Sequence, residues 1–190
     1  DLPVLDDAVG ALHFSCISLI PEPCGSTYEA LMRREHQHRV MMLDPNIRAG
    51  FIADKERHLL RMRRMIAMAD IVKLSDEDLA WFGETGSHDE IAARWLKAGP
   101  KVVVITRGGK GAVGYTVKAR IDVPARTVKV ADTVGAGDTF CGYLAAALDA
   151  GHNLETAMRR AAVAGSLACL NPGAQPAIPM KGDVDGVIGH

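Results

Sequence analysis

Asp132-Thr133-Val134-Gly135-Ala136-Gly137-Asp138-Thr139-Phe140 joins a β-rich segment to an apolar helical run, Phe140 to Leu148. Three small residues in succession let a backbone bend sharply with little side chain in the way. The amides of Gly135 to Asp138 are then expected to point outward at a helix start, where unpaired N–H groups and the helix dipole favour an anion. Asp138 puts a carboxylate into that anion-seeking turn. A carboxylate near a helix start can be a simple cap, but a cap does not account for Gly-Ala-Gly just before it. If the amides hold a phosphoryl group, Asp138 lies where it can take the proton from an attacking hydroxyl. Positioned donors and a base for the nucleophile are what phosphoryl transfer needs.

The rest of the composition fits that chemistry without adding to it. A chain of 190 residues is long enough for one domain with a substantial core. A net charge of −1 points away from nucleic acid and from anionic membrane surfaces. No apolar run is long enough to span a bilayer, and no signal peptide is read at the start. Cys16, Cys24, Cys141 and Cys169 are scattered, with no Cys-x-x-Cys spacing. They read as reduced, mostly packed cysteines of a cytoplasmic protein, not as a disulfide framework or zinc site. No repeat or low-complexity segment is visible.

Taken in order, Ala11 to Leu19 reads as a buried strand. Ser26 with Glu29 makes a capping box for a helix to about Glu35. Arg39 to Leu43 is a short strand, and Asp44-Pro45-Asn46-Ile47-Arg48 follows at its carboxyl end, where open α/β sheets bind ligands. On physics alone that stretch is equally a Pro turn with polar caps. Arg48 can clamp an anionic or hydroxyl-rich ligand, because its fork makes paired hydrogen bonds. Asp54 to Ala69 is a helix with Leu59, Met62, Ile66 and Ala69 along one side. Its Arg57, Arg61, Arg63 and Arg64 read as a solvated face rather than a binding patch.

Asp70 to Leu74 is a strand. Ser75 with Asp78, and Ser87 with Glu90, approximate capping boxes for the next two helices, the second ending near Gly99. Lys101 to Thr106 is β-branched and continuous, as a strand buried on both faces would be. Arg107-Gly108-Gly109-Lys110-Gly111 is not a Walker A loop, since no Ser or Thr follows Lys110. It is either a plain hairpin turn into Ala112 to Val117 or a nucleotide contact. Ala119 to Val123 and Thr127 to Val130 read as short strands, and Leu154 to Leu170 as an Ala- and Gly-rich helix. Its small residues suit close packing on the sheet or on a flat base such as adenine. No further helix is read towards His190. The order of elements predicts an α/β fold: a mostly parallel sheet, helices on both faces, and an antiparallel edge.

Asp132 to Asp138 resembles the C-terminal signature of the ribokinase/PfkB sugar kinases. The resemblance implies a ribokinase-like fold and ATP-dependent phosphorylation of a sugar hydroxyl, with magnesium. Asp138 is then the catalytic base, and the amides of Gly135, Ala136 and Gly137 stabilise the moving phosphoryl group. Asp44-Pro45-Asn46-Ile47-Arg48 is similar to a motif of fructokinases and 2-keto-3-deoxygluconate kinases, which implies Asn46 and Arg48 near the sugar. Ser75 and Asp78 stand at the family's Asn-x-x-Glu positions, implying that Ser75 lies by the nucleotide and Asp78 acts on magnesium through water. Thr106, Arg107, Gly108, Gly109 and Gly111 match its nucleotide turn. Asn171-Pro172-Gly173-Ala174-Gln175-Pro176 is similar to a second loop that, with the signature, holds a monovalent cation such as potassium. That implies Asp132, Val134, Ala168, Asn171 and Gly173 as ligands, with Asn171 also near the nucleotide. Ala177 stands where members often carry Ser.

By the same resemblance, residues 1–190 are the nucleotide-binding and catalytic part of one domain. Asp1-Leu2-Pro3 does not read as a natural start, and the first βαβ units and the lid through which members often form homodimers are expected elsewhere. Fructokinase is the nearest activity, and 2-keto-3-deoxygluconate kinase the runner-up. A non-catalytic sugar or nucleotide sensor is the different class, but it would not need an intact Gly135-Ala136-Gly137-Asp138. A Rossmann oxidoreductase lacks its early glycine fingerprint here.

Overall fold

The computed structural model describes residues 2–188, with Cys16 described by its backbone alone. Readings that concern Asp1, the Cys16 thiol and His190 lie outside the described residues. Six strands form one sheet in sequence order: β1 (Ala11–Ser15), β2 (Val40–Asp44), β3 (Ile71–Ser75), β4 (Val102–Thr106), β5 (Ala112–Tyr115) and β6 (Arg120–Val123). β1, β2 and β3 are parallel. Short links follow β4 and β5, too short for parallel crossovers, so the sheet ends in an antiparallel edge. The expected mixed sheet is therefore present. The chain divides into two compact units, one running up to Ile105 with Tyr115–Ala119, the other Thr106–Gly114 with Arg120 onward.

In the first unit, Met41, Met42 and Leu43 are buried in succession, as are Val103, Val104 and Ile105. Successive side chains point to opposite faces of a strand, so both faces are covered. Helices α1 (Cys24–Glu35), α2 (Lys55–Met68), α3 (Asp76–Phe82) and α4 (His88–Ala98) belong to this unit. The capping boxes at Ser75–Asp78 and Ser87–Glu90 both form.

Three expectations need correction here. β1 stops at Ser15, and a 3₁₀ turn occupies Cys16–Leu19. The box of Ser26 with Glu29 does not form, because α1 starts earlier and Glu29 is drawn inward to Arg33, Arg61 and Arg64. On the expected side of α2, Met62, Ile66 and Ala69 are buried and Leu59 is half-buried, and His58, Arg61 and Met65 are buried beside them. Arg61 is only 5% exposed, so it is no part of a solvated face. It donates to the Leu19 carbonyl at 2.8 Å and also binds Glu22 and Glu29.

In the second unit, α5 (Ala136–Asp149) packs against α6 (Leu154–Ala168), whose Ala157, Ala161, Ala164 and Ala168 are buried. A side chain at Gly165 would put its Cβ 3.2 Å from the Ala136 carbonyl oxygen, so the two helices approach closely there. The strand expected over Thr127 to Val130 does not form, and residues 124–130 have no regular secondary structure. The Arg126 amide goes to Ser166 Oγ at 3.1 Å and the Ala131 amide to the Cys169 carbonyl at 2.8 Å, so this segment bonds to α6 and its end instead of to a sheet partner. A helix not read from the sequence, α7 (Lys181–Ile188), lies against α6 through an Arg160–Asp185 ion pair. Gly182 and Gly186 weaken its intrinsic helix signal.

Cys24, Cys141 and Cys169 are free thiols. Among the described residues no helix is long and apolar enough to cross a membrane.

Candidate active site

The signature turn is built by glycine. Gly135 is the N-cap of α5 with φ of 79°, a left-handed conformation that side chains disfavour. A Cβ there would also lie 2.9 Å from Ala174 Cα, so the turn and the second loop touch backbone to backbone. No side chain caps α5. Within the turn, the Ala136 amide donates to the Thr133 carbonyl at 3.2 Å, and the Thr139 amide to the Gly135 carbonyl at 2.8 Å. The amides of Gly135, Gly137 and Asp138 have no protein partner among the described residues. Of the amides of Gly135 to Asp138 expected to point outward, that of Ala136 is therefore engaged inside the turn. The Asp138 carboxylate is exposed and makes no hydrogen bond or ion pair among the described residues. A carboxylate that closed a capping box would accept the Gly135 amide. This one does not, so the plain cap reading loses its support.

The turn forms part of the lining of two cavities. A cleft of about 250 Å³ is lined by Thr106, Gly108, Gly109 and Gly111 from the hairpin, and by Ala136 and Gly137 from the signature. Ala162 and Gly165 of α6 contribute to its lining, as a flat base would need. Arg126, Val128, Val130 and Phe140 line it as well. Sequence reasoning missed the segment 126–130 because its apolar alternation mimicked a strand. Arg107 does not line this cleft. It staples the hairpin instead, donating to Asp122 at 2.7 Å and to the Lys110 carbonyl at 3.2 Å. The second cavity, about 890 Å³, is lined by Gly135, Asp138 and Thr139, then by Gly142, Tyr143 and residues of α7. That size lies within the usual range of ligand sites, about 300–1,000 Å³. Thr139 is only 4% exposed, and its hydroxyl has no hydrogen-bond partner among the described residues. A buried hydroxyl without a partner is costly, so one beside the Asp138 cavity marks a place where a polar ligand is welcome.

Asp132 connects the signature to the second loop. Its carboxylate accepts the Val134 amide at 3.0 Å and the Gly173 amide at 3.0 Å. Those backbone donors, Gly173 first, hold its pKa below the usual carboxylate value. Burial, with the nearby Asp132 charge, pushes the Cys169 thiol up. Of the five residues implied around a monovalent cation, Asp132, Val134 and Gly173 are thus brought together. Asn171 is exposed on the second loop and lines neither cavity, while Ala168 is buried at the end of α6.

In the first unit, the Asp44–Arg48 loop leaves the carboxyl end of β2 with Asn46 at φ of 38°. Asn46 and Ile47 are half-buried, and Arg48 is exposed with its guanidinium donating to the Ile47 carbonyl at 3.0 Å. Asp78 is 3% exposed. It accepts from the Ser75 amide, the Ser75 hydroxyl and the Ile47 amide, each at 2.7 Å. Three donors on one small carboxylate fit a structural anchor better than the expected magnesium partner. Among the described residues no cluster of three or more His, Cys, Asp or Glu is arranged to hold a metal.

Comparison with known proteins gives matches over most of the chain. The model of the family described as pfkB family carbohydrate kinase matches residues 5–181. Over 148 residues the chain is 60% identical to a fructokinase of Rhizobium leguminosarum bv. trifolii, a match covering 78% of this chain and 45% of that protein. A solved fructokinase double mutant from Vibrio cholerae O395, bound to fructose, ADP and potassium ion, superposes with a TM-score of 0.88 at 27% identity. It covers 97% of this chain and 62% of its own. Aminoimidazole riboside kinase from Salmonella enterica, with aminoimidazole riboside and an ATP analogue, gives 0.86 at 25% identity, covering 95% and 63%. The chain thus spans less than two thirds of each of these relatives.

Proposed function

Because this chain belongs to the pfkB family of carbohydrate kinases, we propose that it carries the nucleotide-binding and catalytic part of an ATP-dependent fructokinase. The observation that carries the proposal is the shared turn. Gly137 lies on the nucleotide side, in the cleft with Gly108 and Gly109, while Asp138 opens into the second cavity. A phosphoryl donor on one side and an alcohol on the other would meet at one helix start.

In this reading Asp138 accepts the proton of the sugar hydroxyl as its oxygen bonds to the γ-phosphorus. The bond from that phosphorus to the bridging oxygen breaks, and ADP leaves. The free amides of Gly135, Gly137 and Asp138 stabilise the charge on the moving group. Magnesium bound on the nucleotide phosphates would neutralise further charge. The Thr139 hydroxyl, buried without a partner among the described residues beside this cavity, would bond the acceptor. Asn46 and Arg48 serve the sugar, and Thr106, Gly108, Gly109 and Gly111 the nucleotide. A monovalent cation would sit by the Asp132 and Gly173 loops, which the Asp132–Gly173 bond draws together. The identity to a fructokinase supports fructose as acceptor. The absence of a membrane-crossing helix among the described residues, with three free thiols, supports a cytoplasmic location. The active form is proposed as a homodimer of the full-length polypeptide.

The test is a sugar panel with ATP on the full-length protein, following ADP release. Fructose should give the highest kcat/KM. Preference for 2-keto-3-deoxygluconate would replace the acceptor, and nucleotide binding without turnover on any sugar would favour a sensor.

A further inference from the structure

The first unit contains a small device that the catalytic reading leaves unused. Two buried carboxylates hold successive amides of one loop. Asp44 Oδ1 accepts the Asn46 amide at 3.1 Å, and Asp78 Oδ1 accepts the Ile47 amide at 2.7 Å. Asp44 is fully buried at the end of β2, where Lys73 of β3 meets its other oxygen at 3.0 Å. Lys73 is itself 4% exposed, so this ion pair lies inside the protein. Asp78 sits in the first turn of α3 and is held there by both donors of Ser75. The loop is therefore pinned to the ends of a strand and a helix, and between the pins Asn46 takes a positive φ of 38°. Asn tolerates that region better than most residues, but it still carries a cost that the two anchors must offset.

We propose that Asp44, Lys73 and Asp78 are positioning residues for the sugar acceptor, clamping the Asn46-Ile47-Arg48 loop through two consecutive amides. The proposal rests on the sugar-kinase reading above, in which Asn46 and Arg48 meet the acceptor. Its physical content is that the loop is held by rigid elements rather than by its own contacts. Sites set on strands and helices keep their geometry better than free loops. It also gives Asp78 a different task from metal binding. Its carboxylate takes three donors. An amide in its place would keep one acceptor oxygen and turn an N–H group towards one of those donors.

The test uses the full-length protein with Asp78→Asn, and Glu90→Gln as a control. Glu90 closes the equivalent capping box on α4 but holds no loop. Asp78→Asn should raise the KM for fructose about tenfold, the loss expected for one charge-assisted hydrogen bond. The KM for ATP and the magnesium requirement should stay within about twofold, and Glu90→Gln should change neither KM. A fructose KM in Asp78→Asn no different from that in Glu90→Gln overturns the clamp in favour of a cap. A raised magnesium requirement overturns it in favour of a metal role. Should Asp78→Asn fail to fold, hydrogen exchange on the wild type decides. The Ile47 amide should exchange slowly, like its neighbours in β2, and exchange as fast as an open loop overturns the clamp. A wild type that phosphorylates no sugar would overturn the functional reading itself, and slow Ile47 exchange in that protein would tell the two failures apart.

Discussion

At the scale of single residues, Arg61 shows how far charge can mislead about burial. Four arginines on α2 resemble a solvated face, yet Arg61 is interior and bonded to the Leu19 carbonyl, Glu22 and Glu29. Glu29 also receives Arg64 at 2.6 Å and Arg33 at 2.8 Å. The Arg64 hydrogen bond is the main reason its carboxyl sits below the usual value. Removing the guanidinium of Arg61 would leave buried acceptors with too few donors. Arg61→Ala should therefore cost about 3–5 kcal/mol of stability in urea unfolding, the range for breaking a buried pair. Arg63→Ala, two positions on and exposed, should stay within about 0.5 kcal/mol. Equal losses from the two would refute the interior placement of Arg61.

At the scale of elements, the hairpin after β4 ties the proposed nucleotide cleft to one glycine. The Gly111 carbonyl accepts the Arg107 amide at 2.7 Å, and Gly111 itself has φ of 88°. A Cβ there would run into the Val123 carbonyl and lie 2.6 Å from the Ala125 amide nitrogen. Ala125 and its neighbour Arg126 line the cleft, so strain at Gly111 is passed directly to the proposed nucleotide site. Gly111→Ala should lower stability by about 1–3 kcal/mol, and should weaken ATP binding, read by calorimetric titration. Unchanged ATP affinity in a destabilised variant would separate the hairpin from the site.

Elements of this kind were legible where local chemistry agreed with the final packing. The boxes at Ser75–Asp78 and Ser87–Glu90, the buried β4 and the glycine turn at α5 all follow from their own residues. Segments decided by distant partners were not. Ser26 lost its box because Arg64 and Arg61 took Glu29. Residues 127–130 alternate like a strand but lie in a segment whose Arg126 and Ala131 amides bond to α6 and its end. α7 is held by Arg160 on another helix, while Gly182 and Gly186 mask its local signal. In the candidate site the same rule holds. Asp138 was marked by the small-residue turn before it and the hairpin glycines by resemblance to a family turn, whereas Thr139 and the wall from Arg126 to Val130 emerged only from the cavities.

At the scale of the whole molecule, a catalytic role requires one short turn to serve two ligands. The free amides would hold charge from the nucleotide side, and an unengaged carboxylate would meet the acceptor. Among the described residues, α5 has no side-chain cap and the buried Thr139 hydroxyl has no partner. Stability forgone at a helix start is what a preorganised anion site requires. The chain spans 45% of the Rhizobium fructokinase that it matches, and the test is run on the full-length polypeptide. The most direct measurement is the turnover of Asp138→Asn beside its affinity for ATP. Loss of the base should lower kcat by about 10²–10⁴, with ATP affinity close to that of the wild type. An Asp138→Asn variant that phosphorylates fructose at near-normal rate would contradict the account.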